Sequence, residues 1–71
     1  MNKKKFLSIM ALYGDTQSTL AEAIGISLSA INYKINEKGS SFTQPEILKI
    51  KHRYKLSAEE IDEIFFSSDV E

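Results

Sequence analysis

The spacing of apolar residues around Gly25-Ile26-Ser27 is the feature that most restricts how this chain folds. Leu20 and Ile24 lie four residues apart before these three residues. Ile31 and Ile35 have the same spacing after them, so each pair occupies one helical face. The glycine tolerates the left-handed conformation in which helices end, and the serine is a favourable N-cap. The pattern predicts two helices that are joined by a very short turn and pack steeply against each other.

The remaining apolar residues also recur with helical spacing, and no segment alternates as a strand does. A first helix is predicted from Lys3 to about Tyr13, a third from Leu28 to about Asn36, and a fifth through Phe65. The predicted N-caps of the four later helices are Thr16, Ser27, Thr43 and Ser57. The last two begin capping boxes. The sequence therefore predicts an all-α fold of five short helices around one core, in a single domain of residues 1–71.

The charges are unevenly distributed, although the formal net charge of the 71 residues is only −1. Residues 1–55 contain all nine Lys and Arg residues against four acids, a net charge of +5. Residues 56–71 contain six acids and no basic residue, a net charge of −6. A basic body can attract phosphates, but a merely solvated surface explains the pattern equally well. Four basic residues are interpreted as a solvated face of the fourth helix: Lys49, Lys51, Arg53 and Lys55.

Composition argues against several classes of function. The chain contains no cysteine, and its only histidine, His52, is interpreted as a surface residue, so no metal site is expected. No paired carboxylates, nucleophile–base pair or phosphate-binding glycine loop indicates an enzyme, and neither a cofactor nor a small-molecule substrate is expected. The basic start at 3–5 and the apolar segment 6–13 are too short for a signal peptide or a membrane span. We therefore expect a soluble, cytoplasmic protein.

Residues 16–31 read T-Q-x-x-L-A-x-x-x-G-I-S-x-x-x-I and are similar to the helix-turn-helix of the phage repressor and Cro family, also called the XRE-like family. The segments Asn36-Glu37-Lys38-Gly39 and Ser41-Phe42-Thr43 also resemble small regulators of Gram-positive phages. The resemblance implies a five-helix, repressor-like domain with the motif on the second and third helices. It also implies a transcriptional regulator, usually a repressor, that binds double-stranded operator DNA as a dimer through the major groove.

The third helix departs from the family pattern in one respect. Family members commonly place an apolar residue three positions after Ile31, but that position here is Lys34, and Ile35 follows it. The two isoleucines therefore define the buried side of the helix. The predicted base-contacting residues are two at the centre of the opposite face and two at its margins: Ser29, Tyr33, Leu28 and Asn32.

The chemistry of these four side chains limits what they can read. The Asn32 amide can pair bidentately with adenine, which is the most specific contact available here. The Ser29 hydroxyl can bond several bases and discriminates weakly, whereas Tyr33 can touch a thymine methyl group or hydrogen-bond a phosphate. Leu28 offers only apolar contact. Packing against a neighbouring helix is the alternative interpretation of Leu28 and Tyr33.

Residues at the ends of the motif are predicted to contact phosphates, which hold the register without reading sequence. The resemblance places Gln17, at the start of the second helix, beside a phosphate, where free N–H groups and the helix dipole favour an anion. A simple capping role is the alternative. The other predicted phosphate contacts follow on from the third helix: Lys34, Asn36 and Lys38. Weaker candidates of the same kind are Ser40, Ser41 and Thr43.

The C-terminal helix is the predicted homodimer interface. Phe65 and Phe66 are adjacent, so they point about 100° apart on a helix and cannot both enter one small core. We expect Phe66 near the surface beside Val70, where an exposed aromatic ring favours a second copy and an inverted-repeat operator. In the alternative, Phe66 folds back over the first helix. A second class of function also stays open: an antitoxin or protein-interaction adaptor that retains the helix-turn-helix fold.

Overall fold

The computed structural model describes residues 1–66, and every regular element in that range is helical. The α-helices are α1 (Lys3–Leu12), α2 (Gln17–Ile24), α3 (Leu28–Ile35), α4 (Gln44–Tyr54) and α5 (Ala58–Ile61). The prediction of five short helices without strands is confirmed for these residues. The fifth helix differs from the prediction because its α-helical part ends at Ile61 and continues as a π-helical segment, Asp62–Phe66. No helix within residues 1–66 is long and apolar enough to cross a membrane.

Side-chain caps determine where all five α-helices begin. Asn2 caps α1 by accepting a hydrogen bond from the Lys5 N–H at 3.1 Å. The predicted N-caps all accept a hydrogen bond from the backbone N–H three residues later: Thr16, Ser27, Thr43 and Ser57. Glu46 accepts a bond from the Thr43 N–H at 2.9 Å, which completes a capping box. Glu60 does the same for Ser57 at 2.8 Å. These bonds satisfy backbone donors that a helix start otherwise leaves unpaired, so the four predicted starts are confirmed.

Four helices end in the same left-handed turn. The residues with a positive φ in these turns are Gly14 (73°), Gly25 (84°), Glu37 (54°) and Lys55 (52°). In each turn the residue that follows the positive-φ residue donates its backbone N–H to the carbonyl oxygen of the residue five positions earlier. Ile26, for example, donates to the Ala21 carbonyl at 3.0 Å. The predicted stop at Gly25 is confirmed. Only Gly25-Ile26-Ser27 separates α2 from α3, which fixes the geometry of their junction.

Replacing Lys55 by glycine is expected to raise the free energy of unfolding by about 0.5 kcal/mol. The left-handed conformation costs a non-glycine residue about 1–2 kcal/mol, and the greater unfolded-state entropy of glycine offsets about 0.5–1 kcal/mol of that gain. The matched control is His52→Gly within the same helix, where glycine should lower stability by about 1 kcal/mol. Urea unfolding measures both variants, and similar losses in the two would contradict strain at Lys55.

The core is formed by the inner faces of the helices. The most deeply buried large side chains are Tyr54, Phe6, Leu20, Ile31, Ile35, Ile50 and Ile64. The apolar pairs on either side of the turn between α2 and α3 are buried, as predicted. Phe6 of α1 packs edge-on against Phe42, with ring centroids 5.7 Å apart, and lies at the same distance from Phe65. These contacts attach the loop before α4 and the π-helical segment to α1.

Asp15, between α1 and α2, joins distant parts of the fold through its carboxylate. Arg53 of α4 donates two hydrogen bonds to it, at 2.7 and 2.8 Å. The Tyr54 hydroxyl donates another at 2.6 Å, and the Thr19 hydroxyl donates one at 2.8 Å. Arg53 is exposed, as expected for the solvated face of α4, but a carboxylate 38 residues earlier in the chain also holds its guanidinium.

This network shifts the proton affinities of its members. The Arg53 guanidinium holds the pKa of the Asp15 carboxyl well below its ordinary value of 3.8; burial opposes this shift, and the Tyr54 and Thr19 hydroxyls reinforce it. Burial and the bond to Asp15 raise the pKa of the Tyr54 hydroxyl. Because the pKa of Asp15 is lower in the folded than in the unfolded chain, its contribution to stability is complete above the unfolded value and is lost as the pH falls.

Acid is expected to destabilise the protein more than it destabilises the Asp15→Asn variant. Between about pH 5 and pH 2 the unfolded chain binds a proton at Asp15 before the folded chain does, so the free energy of unfolding falls. The variant has no ionisable group at this position, and its free energy of unfolding should fall less. Urea unfolding over this pH range measures the difference, and parallel profiles would contradict the lowered pKa of Asp15.

Candidate nucleic-acid interface

The outer face of α3 carries the residues that the sequence predicts as base contacts. Leu28 and Tyr33 are 54% and 53% exposed, and Ser29 and Asn32 are exposed as well. The two isoleucines on the inner side are buried, so the predicted orientation of the helix is confirmed. We call the outer four side chains the α3 surface. Neither Leu28 nor Tyr33 belongs to the core, while the contact of all four with bases stays a prediction.

A side-chain hydrogen bond links the α3 surface to the start of α2. Asn32 Nδ2 donates to Gln17 Oε1 at 3.3 Å. Gln17 is the first residue of α2, and its side chain is half-buried. The sequence assigns the two residues different roles and gives no sign that they touch, because the contact depends on how α2 and α3 cross. The structure thus places a predicted phosphate contact directly beside a predicted base contact.

Lys34 is not extended into solvent beside α3. Its ammonium donates to the Ser41 carbonyl at 3.0 Å and pairs with Glu46 Oε1 at 3.2 Å. The Lys34 and Glu46 side chains are only 14% and 15% exposed. Lys34 therefore ties the end of α3 to the following loop and to the first turn of α4.

Glu46, at the centre of this junction, is held in its charged form. Burial alone would raise the pKa of its carboxyl, but the Thr43 backbone N–H and the Lys34 ammonium together lower it below its ordinary value. One carboxylate thus caps α4 and also pairs with a side chain from α3. The loop between the two helices is attached at both of these points.

The other two predicted phosphate contacts lie where α3 ends. Asn36 Nδ2 donates to the Asn32 carbonyl at 2.9 Å, and Asn36 Oδ1 accepts a hydrogen bond from Lys3 Nζ. Lys38 follows in the loop and is exposed. Lys3 lies 33 residues from Asn36 in the chain, and only the packing of α1 brings its ammonium to the end of α3. Lys3 and Lys38 place positive charge at this end of the α3 surface.

The α3 surface itself is neutral, and the positive charges lie at its edge. Its side chains offer an amide, two hydroxyl groups and an isobutyl group, which are the types of group that can distinguish base edges. Lysine ammonium groups attract phosphates whatever the base sequence. The arrangement therefore separates groups that can read sequence from groups that can attract the DNA backbone.

The π-helical segment places the side chains of its two adjacent phenylalanines in different surroundings. Phe65 packs against Phe6 and Phe42, at ring-centroid distances of 5.7 and 5.6 Å. Phe66 is 56% exposed, which confirms the prediction that it lies near the surface. Together with Phe65 and Phe42 it lines a cavity of about 230 Å³. The predicted neighbour of Phe66, Val70, lies outside the described residues.

Comparison of the chain with protein-family models, with curated proteins and with solved structures gives no match. Within the described part of the chain, no group of three or more His, Cys, Asp or Glu side chains is arranged to hold a metal ion. Function is therefore inferred from the residues and geometry of the α3 surface and its edges.

Proposed function

We propose that α2 and α3 form a helix-turn-helix and that the protein is a sequence-specific DNA-binding transcriptional regulator, a Cro-like repressor. The observation that supports this most is the α3 surface, where exposed side chains suited to base contact lie on a helix only three residues from α2. In this proposal α3 enters the major groove of operator DNA, and its buried inner side fixes it to the core.

Asn32 is the main specificity determinant in this proposal. Its amide has two N–H donors and one carbonyl acceptor. Gln17 Oε1 takes one of the N–H groups, which leaves the second N–H and the carbonyl oxygen for the two hydrogen bonds that an adenine edge offers. The bond to Gln17 also restricts the rotamers of Asn32, so less conformational entropy is lost when DNA binds.

Phosphate contacts in this proposal come from the first residue of α2 and from the C-terminal end of α3. The hydrogen bond from Asn32 uses the side-chain oxygen of Gln17, Oε1. The side-chain N–H groups of Gln17 can therefore face a phosphate, beside the backbone N–H groups that begin α2. At the C-terminal end of α3, Lys38 and Lys3 contribute positive charge, and Asn36 holds the Lys3 ammonium in place. These contacts fix the register of the protein on DNA but carry no sequence information.

A homodimer fits the small size of this interface. One α3 offers few base contacts, and two copies that read half-sites about 34 Å apart double their number. The exposed Phe66, which lines a cavity together with other apolar and with charged side chains, is the proposed contact between the copies. Because such a dimer has two-fold symmetry, its operator is an inverted repeat.

Selection of bound sequences from a random pool of duplexes tests this proposal. The expected result is one short inverted repeat, bound with an affinity whose logarithm falls linearly with the logarithm of the salt concentration. Sedimentation of the complex should give one chain for each half-site. Equal and weak binding to every duplex would contradict the proposal and favour the protein-interaction adaptor or antitoxin instead.

A further inference from the structure

We propose that Lys34 is a positioning residue, which holds the loop after α3 in the shape that contacts phosphates and does not itself contact one. This inference rests on the proposed function, and it replaces the direct phosphate contact that the sequence predicts for Lys34. The residues that it positions are the exposed cation of the loop and the neighbouring hydroxyl groups: Lys38, Ser40, Ser41 and Thr43.

The contacts of the Lys34 ammonium attach this loop to both helices that flank it. Lys34 Nζ donates to the Ser41 carbonyl at 3.0 Å and lies 3.2 Å from Glu46 Oε1. The same Glu46 oxygen accepts the Thr43 backbone N–H at 2.9 Å. The backbone of Ser41 and that of Thr43 are therefore both held by one charged pair, which connects α3 to α4.

Burial and charge oppose a direct phosphate contact by Lys34. Its side chain is 14% exposed, and its ammonium already donates to the Ser41 carbonyl and lies 3.2 Å from the Glu46 carboxylate. If the ammonium turned to DNA, the Glu46 carboxylate, 15% exposed, would lose its cation near a phosphate of the same charge sign. Lys38 is exposed in the same loop and meets no such cost. A loop ordered before binding loses less entropy on contact, so Lys34 raises affinity without adding a phosphate contact.

The salt dependence of operator binding distinguishes the two roles of Lys34. Affinity for the selected duplex is measured over a salt series for the natural protein and for Lys34→Met, Glu46→Gln and Lys38→Met. Removing a phosphate contact lowers the slope of log affinity against log salt by about one, which is the result expected for Lys38→Met. Lys34→Met should weaken binding about tenfold with an unchanged slope, because the loop must then be ordered on binding. Glu46→Gln should also weaken binding, and Lys34→Arg should restore most of the affinity.

Two results would overturn this role for Lys34. One is a lower salt slope in Lys34→Met, and the other is tighter binding by Glu46→Gln, since release from Glu46 would then free Lys34 for a phosphate. Amide hydrogen exchange of the DNA-free protein adds a separate readout. Residues 38–42 should exchange about tenfold faster in Lys34→Met, while α1 is unchanged.

The failures of the two proposals are distinguishable. Unchanged exchange in the loop, together with intact operator binding, overturns the positioning role of Lys34 alone. Failure of the natural protein to prefer any duplex overturns the proposed function and, with it, the role of Lys34 in DNA binding.

Discussion

Replacing Asp15 by asparagine is expected to lower the free energy of unfolding by about 2–4 kcal/mol. The Asp15 side chain is 7% exposed and accepts four hydrogen bonds. An amide removes the charge and turns one acceptor into a donor that faces other donors. Arg53 is 36% exposed and can return to water, so the loss is concentrated at the Tyr54 hydroxyl. For a domain of this size the thermal midpoint should fall by about 10 °C or more.

The control for this substitution is Glu22→Gln, the same loss of charge at an exposed position of α2. It should change the free energy of unfolding by less than about 0.5 kcal/mol. Urea and thermal unfolding followed by circular dichroism measure both variants. A loss below about 1 kcal/mol in Asp15→Asn would show that the network contributes no more than an exposed ion pair does.

Replacing Asn32 by alanine is expected to reduce the preference for operator over unrelated duplex by about tenfold to a hundredfold, the worth of one bidentate base contact. Adding Tyr33→Ala should abolish the preference that remains. Both side chains are exposed, so the thermal midpoint of the double variant should stay nearly unchanged. Competition binding at one fixed salt concentration measures the ratio of operator to unrelated affinity.

A matched control is Glu59→Ala, at an exposed position of α5 away from the α3 surface. It should leave the ratio of operator to unrelated affinity unaltered. An unchanged ratio in Asn32→Ala/Tyr33→Ala would exclude these residues from base reading. A large fall in its thermal midpoint would show instead that the two side chains support the fold.

Helix starts and stops could be predicted from the sequence because they depend on local chemistry. Thr43 and Glu46 satisfy each other's neighbouring backbone groups over three residues, and the left-handed turn at Gly25 needs only the glycine itself. The buried side of α3 could be predicted for a similar reason. Ile31 and Ile35 have a spacing that only one helical face provides.

The contacts that support the site could not be predicted in the same way. Asp15 reads as a residue between two helices, yet its partner Arg53 is 38 positions away and is brought close only by the packing of α4. Lys34 reads as a cation beside DNA, because nothing local shows that Glu46 will lie 3.2 Å from its ammonium. Charge counting along a chain finds cations, but only the fold shows which of them already have partners.

NMR titration of the isotope-labelled protein with the selected operator duplex locates the DNA-binding surface most directly. The largest changes in amide chemical shift are expected at the start of α2, over residues 28–33 and in the loop 38–41, with small changes in α5. Changes concentrated in α4 and α5 with the α3 amides unmoved, or no change at all on addition of DNA, would contradict the assignment of α3 to the major groove.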